Sequence, residues 1–218
     1  MLYAAETSGV NSLIQRLDRF FDRELTVVSR ILILAGVLLL IPVYLAPMYQ
    51  MTLISNQFPD GLELHIYASK LEGGNTANRD DLREINTLNH YIGMRPLLES
   101  DFSEVKWLPL AVGAFALLAL RALVIGKMSK LVDIVVLFVY FGLFSLWSFH
   151  HRLYEYGHNL DPTAAVKVKP FTPPIFGSQQ IANFTVFNYP AAGTYLMLGF
   201  VLLSGLAIWL SARQRRNA

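Results

Sequence analysis

Five histidines are the residues best suited to chemistry in this chain: His65, His90, His150, His151 and His158. Two of them sit in patterns that gather metal-ligand types. The first is Asn89-His90-Tyr91-Ile92-Gly93-Met94. If a helix runs through it, His90 and Met94 share one face at i and i+4. If Gly93 breaks the helix, a turn can still bring the two together. Imidazole with thioether is a soft donor pair that suits copper, particularly Cu(I). The second pattern runs His151-Arg152-Leu153-Tyr154-Glu155-Tyr156-Gly157-His158-Asn159-Leu160-Asp161-Pro162. On a helix, His151, Glu155 and His158 share a face, with Asp161 one turn beyond His158 and Pro162 as a stop. His90, Met94, His158 and Asp161 are therefore the candidate copper ligands. The competing reading is structural, with the same residues holding loops together by hydrogen bonds. His65, in an alternating stretch, reads as solvent-facing.

Other chemistry is poorly represented. The chain has no cysteine. That excludes disulfides, thiolate metal sites, iron–sulfur clusters and c-type haem attachment. No histidine falls inside an apolar block, so bis-histidine haem ligation across membrane helices is not expected. The chain shows no G-x-S-x-G, H-E-x-x-H, P-loop or dinucleotide fingerprint. A non-enzymatic role is the expectation, and no nucleic-acid partner is implied. Asp133, the one acidic residue within an apolar block, reads as a shallow ion pair with Lys130 or Lys127 rather than a proton relay.

The elements that must position these residues follow from composition. Hydrophobic residues make up 54% of the 218 and charged residues 16%, against roughly 25% charged in a soluble domain. The apolar residues fall into four blocks, 31–49, 107–125, 131–149 and 195–211. Each approaches the ~20 residues a helix needs to cross a bilayer. The blocks are continuous rather than alternating, so transmembrane helices are expected and not barrel strands. Block one lacks a clean small-x-small cleavage site and reads as a span rather than a signal peptide.

Basic residues set the orientation. Arg16, Arg19, Arg23 and Arg30 precede block one, Lys127 and Lys130 flank the turn at 126–130, and Arg213, Arg215 and Arg216 lie in the tail 212–218. These segments are expected in the cytoplasm. The loops 50–106 and 150–194 are then external, the first of them net acidic. All five histidines fall on that external side. In a bacterium this is the inner membrane with both loops in the periplasm.

Within segment 1–30, Ser12 to Ser29 places Leu13, Ile14, Leu17, Phe20, Phe21, Leu25 and Val28 at helical spacing opposite Arg16, Asp18, Arg19, Asp22 and Arg23. This predicts an amphipathic interfacial helix, with a helix packed on a partner as the alternative. In the first loop, Leu62 to Gly74 predicts a strand and a turn, and Asn78 to Leu88 a short helix with an Asn or Asp cap. The predicted fold is thus an all-α membrane protein of four spans, with a small mixed loop platform outside.

Three stretches carry a resemblance: Ile85 to Met94 (INTLNHYIGM), Tyr154 to Lys169 (YEYGHNLDPTAAVKVK) and Pro173 to Thr185 (PPIFGSQQIANFT). They resemble a family of small bacterial polytopic membrane proteins encoded beside nitrous-oxide-reductase genes, especially in clusters of the Sec-exported (clade II) type. The likeness runs from about Leu34 to Leu210 and is most specific in the loops. It implies an accessory role in periplasmic nitrous oxide respiration (denitrification). The partners would be a copper enzyme or its maturation or electron-transfer proteins. Carried onto this chain, the motif residues are Asn89, His90, Tyr91, Gly93, Met94, Gly157, His158, Asn159, Asp161 and Pro162. The resemblance leaves open whether the role is copper handling and docking or that of a structural subunit in a respiratory electron-transfer complex.

Overall fold

The computed structural model describes residues 13–74 and 79–214. The expectations for residues 1–12, for Asn78 and for Arg215 and Arg216 lie outside the described residues. The chain divides into two compact units. A helix unit comprises residues up to Leu40, Gly113–Tyr140 and Leu198 onward, and a sheet unit comprises Ile41–Val112 and Phe141–Met197.

Four helices are long and apolar enough to cross a membrane. They define a multi-pass membrane protein whose helices contact the lipid bilayer. The first is α2 (Val27–Leu40), prolonged by a 3-10 turn at Pro42–Tyr44. The others are α4 (Glu104–Ile125), α5 (Met128–His158) and α6 (Ala192–Arg213). The first span starts and ends earlier than block 31–49. Pro42 has no N–H to give and its ring opposes the carbonyl four residues back, which ends the helix. Tyr49 is already in a strand. α5 has 31 residues, about 46 Å at ~1.5 Å per residue, so it exceeds the ~30 Å hydrocarbon core.

In the helix unit, small residues let backbones approach. A Cβ at Gly36 would meet the Phe200 ring at 3.1 Å, and one at Gly199 would meet Leu39 at 2.9 Å. Phe138 packs edge-on to Phe115 at 5.1 Å between ring centroids and also touches Phe200 at 5.5 Å. Two buried serines satisfy each other, while the buried Ser204 hydroxyl has no partner among the described residues. Ser211 donates to the Ser29 hydroxyl (2.7 Å), and Ser29 donates to the Ala207 carbonyl (2.8 Å). Thr26 accepts from the Ser29 N–H (3.0 Å), the geometry of an N-cap on α2. Leu117, Val124 and Leu202 remain 70%, 76% and 71% exposed, which only a lipid or protein environment makes tolerable.

Helix α1 covers residues 13–21, shorter than the expected amphipathic stretch. Leu13, Ile14, Leu17 and Phe21 stay exposed, as an interfacial helix requires. The chain then leaves the helix to pair with the α4–α5 turn. The Leu25 N–H donates to the Gly126 carbonyl (2.7 Å) and the Met128 N–H to the Arg23 carbonyl (2.9 Å). Leu25 is buried there and not part of an interfacial face. Lys130 lies 3.7 Å from Asp133, the ion pair expected of that carboxylate.

The sheet unit corrects the all-α expectation. It holds a five-stranded antiparallel sheet in the order β3-β2-β1-β5-β4. The strands are β1 (Tyr49–Ile54), β2 (Leu62–Ile66), β3 (Leu71–Gly73), β4 (Gly177–Ile181) and β5 (Phe184–Pro190). An open sheet has edge N–H and C=O groups that hydrocarbon cannot satisfy. The β2–β3 hairpin is the strand and turn expected from Leu62 to Gly74. The central pairing is long-range, with Tyr49 opposite Pro190 and Leu53 opposite Val186. It merges the two loops into one fold.

One sheet face is covered. Leu53, Leu62, Leu64 and Val186 pack with Ile85 of α3 (Asp81–Tyr91) in a buried core. Each such side chain stabilises by roughly 1.5–3 kcal/mol. α3 has the expected Asp cap, since Asp80 accepts from the Arg83 N–H at 3.1 Å. Asp81 is fully buried and accepts from the Glu63 N–H (2.9 Å) and from Arg79 (2.5 Å), fastening α3 to β2.

Candidate functional site

The end of α3 explains the first motif. The Gly93 N–H donates to the His90 carbonyl (3.2 Å) and the Met94 N–H to the Asn89 carbonyl (2.8 Å). This pair of bonds is a Schellman stop, which needs a residue in the left-handed region. Gly93 supplies it at φ +79°. His90 and Met94 therefore do not share a helical face. His90 is exposed at the helix end, whereas Met94 packs with Leu71, Phe102 and Tyr156.

The second motif lies at the end of α5 and meets the first. The Asp161 N–H donates to the Gly93 carbonyl (2.8 Å), and the Val166 N–H donates to the Tyr91 carbonyl (2.9 Å). A Cβ at Gly93 would stand 2.8 Å from the Asp161 carbonyl and 2.9 Å from the Ala164 side chain. Gly157 serves the same purpose one step earlier. Its carbonyl accepts from the Phe171 N–H (3.1 Å), and a Cβ there would overlap the Phe171 carbonyl. Both motif glycines are positions where two backbones touch.

The remaining ligand candidates are engaged locally. The His158 imidazole Nδ1 lies 3.0 Å from the Tyr154 carbonyl, and its ring stacks on Tyr154 at 3.8 Å between centroids. Asp161 accepts from the Thr163 hydroxyl (2.6 Å) and from the Thr163 N–H (2.7 Å) with one carboxylate oxygen, an Asx turn. The Thr163 hydroxyl, then its N–H, hold the Asp161 carboxyl below the usual Asp value. The Lys167 ammonium acts in the same direction. The Pro162 carbonyl accepts from Lys167. Asn159 is exposed, with its N–H on the Glu155 carbonyl (3.0 Å). Tyr91 is 53% exposed. His151 sits 3.7 Å from Glu155, the shared face expected of a continued α5. His65 lies on the uncovered sheet face, 3.2 Å from Glu63.

Among the described residues no three His, Asp or Glu side chains gather within metal-binding reach. As arranged, the Asp161 oxygen and the His158 nitrogen already have partners, and the Met94 thioether faces an apolar cluster.

The sheet unit also holds a partly open cavity of about 540 Å³ that the sequence did not signal. Its walls come from the covered sheet face (Leu64, Val186), from α3 (Ile85, Leu88, Asn89) and from the end of α5 (Leu153, Tyr156). Asn89 is 6% exposed, and among the described residues its side-chain amide has no hydrogen-bond partner. Tyr49, at the sheet's central strand, donates to the Ile175 carbonyl (2.8 Å), and burial pushes its hydroxyl pKa well upward.

The fold defines a class: a multi-pass membrane protein that also carries a five-stranded antiparallel sheet. No protein-family model, no curated protein and no solved structure matches the chain.

Proposed function

We propose that this is a non-enzymatic accessory protein of a bacterial inner membrane whose sheet unit is a periplasmic docking platform for a copper-enzyme system. The nitrous-oxide-reductase resemblance supplies the partner class. The observation that supports a platform is the pair of backbone bonds from Asp161 to Gly93 and from Val166 to Tyr91. They fasten the two most recognisable segments into one surface, on which His90 and Tyr91 are exposed. Docking is favoured over metal holding because Met94, His158 and Asp161 already serve packing, stacking and turn formation.

The test is in-membrane crosslinking from His90 and Tyr91 positions, followed by identification of the captured protein. Capture of the copper reductase, its maturation factors or its electron donors is expected, with loss in a His90→Ala/Tyr91→Ala double variant. A respiratory subunit role predicts instead a stable complex with a cytochrome that survives solubilisation. Copper uptake of the purified chain is measured in parallel. One equivalent bound, and lost in His90→Ala/His158→Ala, would restore the ligand role and sink the docking-only reading.

A further inference from the structure

We propose that the cavity of the sheet unit is a binding site for an uncharged single-chain amphiphile, with the Asn89 amide meeting its polar head. This rests on the cavity itself and is independent of the docking role. Its size, about 540 Å³, falls within the ~300–1,000 Å³ range of sites for one small molecule. That volume suits one hydrocarbon chain better than a two-tailed lipid. The walls are mostly apolar, with Leu53, Leu64, Ile85, Leu88 and Val186 facing the space. Hydrocarbon laid on apolar walls removes both surfaces from water, so a hydrocarbon occupant is the natural complement.

The polar lining narrows the head group. Asn89 is 6% exposed, lines the cavity, and among the described residues has no partner for its amide. A primary amide offers both donors and an acceptor, so a ligand group that donates and accepts complements it. The charge balance speaks against an anionic head. Arg152 is the sole cation in the lining among the described residues. It is already held by Glu104 (3.4 Å) and Glu155 (3.9 Å). Glu84, also in the lining, adds a negative charge. A carboxylate or phosphate would find no free cation here, whereas a hydroxyl or ester would find Asn89. A monoacylglycerol or a long-chain alcohol has this chemistry.

The experiment uses the full chain in phosphatidylcholine nanodiscs with a diazirine analogue of monooleoylglycerol. Labelling should map to the 82–97 and 165–174 segments. Unlabelled monooleoylglycerol should compete at least tenfold better than oleate, and a long-chain alcohol should compete comparably if the source is not a glyceride. Asn89→Leu should cut labelling about tenfold. Leu88→Trp, which fills the cavity, should abolish it. Should Leu88→Trp fail to fold, Ile181→Trp on the sheet wall tests the same point. Labels confined to the membrane spans would overturn the proposal. So would labelling indifferent to Asn89→Leu and to both filling variants, or preferential competition by oleate.

Discussion

The two units hold themselves together in different ways. The helix unit relies on small residues and a short chain of hydroxyls. Gly36 and Gly199 admit Phe200 and Leu39, while Ser29, Ser211 and the Ala207 carbonyl satisfy one another. In lipid there is no hydrophobic drive between helices, so close packing and a few hydrogen bonds must suffice. The sheet unit has an apolar core of strand and α3 side chains. Its specificity comes from backbone contacts at Gly93 and Gly157 and from one buried carboxylate, Asp81. The lesson is that the helix unit should tolerate single changes that the sheet unit does not.

The sharpest way to break that comparison is Gly157→Ala. The new Cβ would collide with the Phe171 carbonyl, which is backbone and cannot swing aside. A loss of about 3 kcal/mol is expected. It should be read by hydrogen exchange as loss of protection in the strands, with α2 and α6 amides unaffected. Unchanged strand protection would show that the joint between the loops is softer than its geometry implies.

Asp81→Leu comes next. It removes the acceptor for the half-buried Glu63 N–H and the partner of Arg79. The orphaned N–H alone costs about 1–3 kcal/mol. Urea unfolding followed at sheet-unit probes should show the loss, and a midpoint equal to the native one would remove Asp81 as the fastener of α3.

Ser29→Ala probes the other unit. Interhelical hydrogen bonds in membranes average about 0.6 kcal/mol, because alternative partners exist in the unfolded state. A small shift in a denaturing-detergent titration is expected. A loss as large as that of Gly157→Ala would erase the contrast between the units.

The smallest effect is a pH response of the Asp161 turn. Its carboxyl is held below its ordinary value by the Thr163 hydroxyl and N–H. The native state therefore binds the proton less readily than the unfolded chain. The contribution is present above the unfolded value of ~3.9 and is lost as pH falls through the lower native value. The Thr163 amide chemical shift should report a midpoint below 3.9. A midpoint at or above that value would mean the turn does not hold the carboxylate in solution.

The four spans were legible because length and apolarity are local and bilayer thickness fixes what they mean. The Asp cap of α3 and the continuation of α5 were legible for the same reason: cap chemistry and helical spacing are properties of neighbouring residues. The sheet was not. β1 (YQMTLI) follows an apolar block without a break, its first residue Tyr49 falling in the expected span and the rest in the loop, and β4 (GSQQI) has no apolar alternation at all. The pairing of β1 with β5 joins Leu53 to Val186 across the whole middle of the chain, a relation that no window of sequence contains.

The motif around His90 shows where local reading runs out. Histidine, glycine and methionine in that order suggested a soft metal pair. The same letters encode a helix stop, and the positive φ of Gly93 sends Met94 into an apolar cluster while leaving His90 outside. Gly93 as a helix breaker was visible in the sequence. That its bare Cα also meets the Asp161 backbone was not, because the contact depends on a segment almost seventy residues away.

By itself, then, the sequence determined that the chain crosses a membrane four times, which segments lie between the spans, and which helix ends are capped. These follow from transfer energies and from bonds between near neighbours. Only the tertiary structure decided that the two loops form one sheet, that the motif glycines are their meeting points, and that an apolar cavity with an unpartnered Asn89 lies behind them. Those features arise from pairings distant in sequence, whose energies depend on what folding brings alongside.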